Sequence, residues 1–157
     1  MEENIKKGSR IYLDDTRTPI DKDWIVVKNY EEFVQKIEEI GLKNIETISF
    51  DHDLGETAIK EYFNNVAKNY VLDYRNIEEK TGMDCLKWLI NHFYELYPKR
   101  LEMSRFDKKN IPINFPKIYV HSANPVGAGN IMGYCNNFFL NEGEEQSCVR
   151  VKIEHKV

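Results

Sequence analysis

Four aspartates and two histidines stand where apolar runs of this chain end. Leu13 is followed by Asp14 and Asp15, Phe50 by Asp51, His52 and Asp53, and Val120 by His121, Ser122, Ala123 and Asn124. Four carboxylates brought into one cleft repel each other, and some would take up protons unless a cation balances them. Hard oxygen ligands select Mg²⁺, Mn²⁺ or Ca²⁺, and bound Mg²⁺ is commonly completed by phosphate oxygens. Asp14, Asp15 and Asp51 are therefore the expected metal ligands, with Mg²⁺ or Mn²⁺ as the cofactor. One of the four acids is equally expected to serve as a cap or turn residue.

His52, His121 and Asp53 form the expected proton-transfer set. A carboxylate neighbour raises an imidazole's pKa, which suits His52 or His121 to act as a general acid. His92, on a helix, and His155, near the tail, are assigned no role. Ser122 and Asn124 add hydroxyl and amide groups at the same edge. Residues 125–130 then lead into a helix, where Gly127, Gly129 and Asn130 would let backbone N–H groups approach an anion at the positive end of the helix dipole. The spacing fits neither the Walker nor the dinucleotide fingerprint, so the same segment also reads as a simple capping turn. Arg17 would clamp a phosphate bidentately or stand as an exposed turn residue.

These groups meet only if the elements behind them are parallel neighbours. Short apolar runs at residues 10–13, 24–27, 45–50 and 117–120 read as strands, and residues 148–153 alternate as a fifth. Helical spacing covers residues 30–40, 81–96 and 127–140, with a weaker pattern over 58–70. Strands alternating with helices indicate a mostly parallel sheet with helices on both faces, and ligands of such sheets bind beyond the carboxyl ends of the strands. Only a short stretch around residues 15–23 joins the first two strands, too little for a crossover helix.

The chain has 157 residues and a net charge of −4, from 22 basic and 26 acidic side chains. That length suits one domain, taken as residues 1–157. The acidic balance argues against a DNA-coating role, which needs a dense basic footprint. Cys85, Cys135 and Cys148 show no metal-binding spacing and read as reduced, buried thiols. The first seven residues carry no apolar signal region, and no run is long enough for a membrane span, so the expected location is the cytoplasm.

Four blocks resemble a known family. They are Leu13-Asp14-Asp15-Thr16-Arg17-Thr18-Pro19, Ser49-Phe50-Asp51-His52-Asp53-Leu54-Gly55, residues 81–89 from Thr81-Gly82-Met83, and Val120-His121-Ser122-Ala123-Asn124-Pro125-Val126-Gly127. In this order they are similar to the cyclic-phosphate processing receiver-like domains, from Arg10 to about Phe139. The resemblance implies a receiver-like, flavodoxin-like three-layer sandwich on a mostly parallel five-stranded sheet, with the first crossover helix missing or shortened. It also implies a role on cyclic phosphates of nucleotides or RNA ends. Beside true receivers, Asp14 and Asp15 match the acidic pair that holds Mg²⁺, Asp51 or Asp53 the phosphoacceptor region, and Ser122 the hydroxyl residue. Two histidines are added, no Lys-Pro follows the fifth strand, and Lys152 is expected inside that strand. Residues 56–80 and 99–116 look like insertions that would form a lid or a partner surface.

The leading expectation is a metal-dependent phosphoesterase acting on a nucleotide or RNA end. The alternatives are a receiver-like phosphoacceptor and a non-catalytic nucleotide- or partner-binding module. Nothing in the sequence specifies the oligomeric state.

Overall fold

The computed structural model describes residues 8–156; residues 1–7, read above as lacking a signal region, lie outside them. Strands β1 (Ser9–Leu13), β2 (Trp24–Val27), β3 (Ile45–Phe50), β4 (Lys117–Val120) and β5 (Val149–Arg150) form one sheet in the order β2-β1-β3-β4-β5. Every neighbouring pair is parallel. This is the receiver-like, flavodoxin-like strand order.

The register explains where the core sits. Ile11 pairs with Ile25 and Ile48, and Ile48 with Ile118; Leu13, Val27, Phe50 and Val120 form the next such row. Side chains alternate along a strand, so both rows share one face. The apolar stripes of three helices close over it: α1 (Tyr30–Ile40), α4 (Gly82–Leu96) and α6 (Pro125–Asn141), with α1 packed on α4 and α4 on α6. Phe33, Leu86, Leu89, Phe93 and Ile131 are buried there, each contributing about 1.5–3 kcal/mol of transfer free energy. The opposite face carries a different set, Arg10, Tyr12, Trp24, Thr47, Ser49 and Tyr119. Residues 14–23 join β1 to β2 without a helix, so the expected missing crossover leaves that face to aromatic and polar side chains.

Local chemistry sets the helix starts. Asn29 accepts the Glu32 N–H ahead of α1, and the Thr81 N–H donates to Asp84 ahead of α4. Asn124 accepts both the Val126 and Gly127 N–H groups ahead of α6, and Pro125 occupies the first helical position. Cys85, Cys135 and Cys148 are free and buried. No helix among the described residues is long and apolar enough to cross a membrane.

Two expectations are corrected. β5 ends at Arg150, so Lys152 lies past the strand and not inside it. Residues 99–116 are not a lid over the site. They hold a 3₁₀ turn (Pro98–Glu102) and α5 (Arg105–Asn110), pinned where the buried Arg100 donates to Glu142 at 3.0 Å and to the Ile111 carbonyl at 2.6 Å. Glu142 caps the far end of α6, which at 1.5 Å per residue lies about 25 Å from the helix start at the strand ends. Residues 56–80 do approach those ends. α2 (Glu56–Glu61) runs through one π turn (Tyr62–Val66) into α3 (Ala67–Asn69), and Glu61 ties the returning loop by accepting from the Asp73 N–H and the Asn76 amide.

Candidate active site

β1, β3 and β4 all point their carboxyl ends the same way, so Asp14, Asp51 and His121 arrive side by side. The Asp51 N–H donates to the Leu13 carbonyl at 3.0 Å, and the His121 N–H to the Phe50 carbonyl at 2.9 Å. The ladder thus continues one residue past each strand. Asp14, Asp15 and Asp51 each offer a carboxylate oxygen within 4.8 Å of the others.

Asp14 is fully buried and accepts four hydrogen bonds. The Thr16 and Arg17 N–H groups meet Oδ1 at 3.0 and 2.8 Å; Arg17 Nε and His121 Nε2 meet Oδ2 at 2.9 and 3.1 Å. Burial alone would raise this carboxyl, but the bonds from His121 and from the Arg17 and Thr16 amides hold it below the ordinary carboxylate range. Asp51 has fewer partners, the His52 N–H at 2.8 Å and Arg17 Nη2 at 3.5 Å. Burial and the charge of Asp14 push it up to about 7. Asp15 is raised by the same two causes. The arrangement therefore carries more negative charge than its neighbours balance. Three hard oxygen donors with that surplus fit a divalent cation.

Both expected proton-transfer histidines are buried, and both are fully engaged. His52 Nδ1 meets Asp53 Oδ1 at 2.6 Å and Nε2 meets the Tyr74 hydroxyl at 2.9 Å. His121 Nδ1 meets Ser49 Oγ at 2.8 Å, while Nε2 meets Asp14. The expected rise of an imidazole beside a carboxylate is reversed at His121. Burial pushes it below its ordinary value, against the pull of Asp14. These rings position carboxylates: His121 holds Asp14, and His52 holds Asp53. The Asn124 amide also donates to Asp53, at 3.2 Å to Oδ1 and 3.4 Å to Oδ2.

Two cavities open at this edge. One, of about 270 Å³, is walled by Asp15, Arg17, Asp51, Asp53, Ser122 and Asn124. Its opposite wall is Ile59, Tyr62 and Phe63, from α2 and the π turn; Phe63 is 60% exposed although it is apolar. The other cavity, about 500 Å³, lies across Arg17, His121 and Ser122 and is bounded by the chain after β5.

The helix start does not form the expected anion cradle. The Gly127 N–H is consumed by Asn124, and the glycine serves packing instead, since an added Cβ would come within 2.4 Å of the His52 ring. Gly129 lies a turn inside the helix, past the free N–H groups of its start. Asn130 donates to Tyr74 at 3.1 Å, on the far side of His52 from Asp53. None of these three lines the acidic cavity.

His155, assigned no role from the sequence, reaches the site. Its Nε2 meets the Tyr12 hydroxyl, and with Asp14 and His121 it forms a second group of potential ligand atoms within 4.8 Å. Tyr12 stacks on the His121 ring at 4.1 Å. Tyr74 and Phe63 were also missed. The helical spacing over residues 58–70 reads Phe63 as inward, and the structure leaves it exposed; nothing local marked Tyr74 or His155.

Compared with known protein families, residues 9–137 match the Cyclic-phosphate processing Receiver domain. No curated protein and no solved structure matches the chain.

Proposed function

The chain belongs to the cyclic-phosphate processing receiver domain family, and from that premise we propose that it is a metal-dependent phosphoesterase acting on cyclic phosphates of nucleotides or RNA ends. The observation that carries the reading is the carboxylate trio beside an open cleft, Asp14 and Asp51 buried and Asp15 half-buried, with Asp51 raised to about 7 by burial and by Asp14. A site that strains a carboxylate this far has a use for a cation. Asp14, Asp15 and Asp51 would hold Mg²⁺ or Mn²⁺, which when bound supplies Lewis-acid polarisation of a phosphoryl oxygen and a more acidic water.

The chain's own groups divide the remaining work. Arg17 bridges Asp14 and Asp51 and is 35% exposed, so it can turn a donor toward phosphate oxygens. The Ser122 hydroxyl, whose oxygen accepts the Asn124 N–H at 3.1 Å, can direct its own proton to the same phosphate. Asp53 is the carboxylate in the cleft outside the trio, and it is the group proposed to move a proton there. His52 and Asn124 keep it aimed; His52 and His121 act as positioning residues. Ile59, Tyr62 and Phe63 offer an apolar wall for the ribose or base.

The test is hydrolysis of nucleoside 2′,3′-cyclic phosphates with Mg²⁺ or Mn²⁺ against an EDTA control, for the wild type and Asp53→Asn. Turnover that survives EDTA, or that is unchanged in Asp53→Asn, refutes the assignment.

One observation favours a second reading, a receiver-like phosphoacceptor. Lys152 lies just past β5 and lines a cavity with Arg17 and Ser122, near the position of the lysine that the sequence alone left out of the site. This reading expects an acyl phosphate on Asp51 or Asp53 after incubation with acetyl phosphate and Mg²⁺, detected as added phosphoryl mass, without turnover of cyclic phosphates.

A further inference from the structure

The larger cavity has a charge pattern that the acidic cleft does not explain. Its polar lining is Arg17, His121, Ser122, Arg150, Lys152 and His155, with no carboxylate among the lining residues. Three cations and two imidazoles thus gather on one concave surface of a chain whose net charge is −4. Asp14 comes within 4.8 Å of both imidazoles, but four hydrogen bonds engage it already.

The backbone frame of the cavity is fixed by hydrogen bonds. The Val151 N–H continues the ladder onto the Val120 carbonyl at 2.8 Å. The tail then crosses back over the β1–β2 connection. The Ile20 N–H donates to the Glu154 carbonyl at 3.1 Å, and the Lys156 N–H to the Thr18 carbonyl at 2.9 Å. Arg150 is tethered through Nη2 to the Ser122 carbonyl at 2.9 Å, and His155 through Nε2 to Tyr12. Arg17 is already balanced by Asp14 and Asp51, but Arg150 and Lys152 find no carboxylate among the residues lining this surface, and an anion offsets the cost of holding like charges together. A volume of about 500 Å³ is within the range of ligand pockets and exceeds what one phosphate needs. Arg17, Ser122 and Ala123 line both cavities, so the two adjoin.

We propose that this basic cavity is a second phosphate subsite, so that the preferred ligand carries a further phosphate beyond the one handled in the acidic cleft. The inference rests on the phosphoesterase reading only in taking the cleft as the place where the first phosphate sits. The further phosphate has two sources, a terminal phosphate on a mononucleotide or the phosphodiester of a strand end.

Equilibrium titration at low salt separates them, using the whole chain and three probes: a nucleoside 3′-phosphate, the matching 3′,5′-bisphosphate and a dinucleotide ending in a 3′-phosphate. The expected result is that at least one two-phosphate probe binds about tenfold or more tighter than the monophosphate, as a charge-assisted contact of about 1.5–3 kcal/mol implies. Lys152→Gln should remove most of that advantage while leaving monophosphate affinity unchanged. Arg150→Gln should do likewise, and because Lys152 makes no tether, its variant keeps the test valid if Arg150→Gln unfolds. A gain for both two-phosphate probes indicates general phosphate capture; a gain for the dinucleotide alone indicates strand ends. Equal affinity for all three probes in the wild type, or an undiminished advantage in Lys152→Gln, overturns the subsite. Turnover of cyclic phosphates is measured separately. Turnover without discrimination loses only the subsite, and discrimination without turnover loses only the phosphoesterase reading.

Discussion

Asp51→Asn should make the metal-free protein more stable at alkaline pH and at the same time remove its response to metal. In the folded chain the Asp51 carboxyl is pushed from an ordinary value of 3.8 up to about 7, first by burial and then by the charge of Asp14. A raised carboxyl means that the folded state binds the proton more tightly than the unfolded state. Stability is therefore unaffected below the unfolded value, falls as pH rises from about 4 to about 7, and stays low above that. At about 1.4 kcal/mol per pH unit, the full loss is about 4 kcal/mol. The side chain is only 8% exposed, so solvent relieves little of it. Asparagine keeps an oxygen for the His52 N–H but carries no charge. In EDTA at pH 8 the variant should melt about 10 °C above the wild type, and at pH 5, where about 1.7 kcal/mol of the loss is already present, the gap should narrow to about 4 °C. Adding Mg²⁺ or Mn²⁺ at a hundredfold excess over Kd should stabilise the wild type by about 2.7 kcal/mol and leave Asp51→Asn unmoved. Thermal melts at the two pH values, with and without metal, decide the matter. Equal melting in EDTA at pH 8 would show that Asp51 is not strained, and the same metal response in both proteins that it is not a ligand.

Other consequences can be measured with the same protein. Gly127→Ala should cost more than 2 kcal/mol in urea denaturation and disturb His52, whereas Gly129→Ala, with nothing within 4 Å of the added Cβ, should be neutral or stabilising by up to about 1 kcal/mol. Arg100→Gln should destabilise by about 3 kcal/mol by leaving Glu142 buried without its guanidinium, yet kcat of the folded fraction should not change, because the pair lies far from the cleft. Burial would raise the Glu142 carboxyl, but bonds from Tyr94, Lys108 and Arg100 outweigh it and hold it low. The stability it contributes is present above the ordinary carboxylate range and lost as pH falls through the depressed value, so Glu142→Gln should flatten the acid limb of the stability curve. Phe63→Ala should raise KM for a nucleoside cyclic phosphate about tenfold with kcat unchanged, by removing about 1–3 kcal/mol of stacking.

The helix starts show how far local chemistry reaches. Thr81 with Asp84, and Asn124 with Val126 and Gly127, cap their helices through residues only two or three apart. Three strands, Trp24–Val27, Ile45–Phe50 and Lys117–Val120, have the bounds their apolar runs imply, since each run is flanked by polar residues. The fifth does not. Its alternation continues to Ile153, but pairing with β4 stops at Arg150, and pairing belongs to the partner strand as much as to the sequence. Arg100 and Glu142 are a further case. Nothing in either neighbourhood marks a charge that will be buried, because each is buried by the other.

The site divides along the same line. The sequence by itself determined that Asp14, Asp51 and His121 would share one edge, because parallel strands send all their carboxyl ends to the same side and each apolar run stops at a polar residue. Only the tertiary structure decided what each group faces. It turned both ring nitrogens of His52 and His121 inward onto Asp53, Tyr74, Asp14 and Ser49, spent the Gly127 N–H on a cap, and set Arg17 between two carboxylates. It also brought His155 and Lys152 to the basic cavity beside the cleft by folding the tail back over residues 18–20. Side-chain period encodes a direction relative to one element's own axis. Which group lies opposite depends on segments more than a hundred residues away, and that information exists only once the chain has closed on itself.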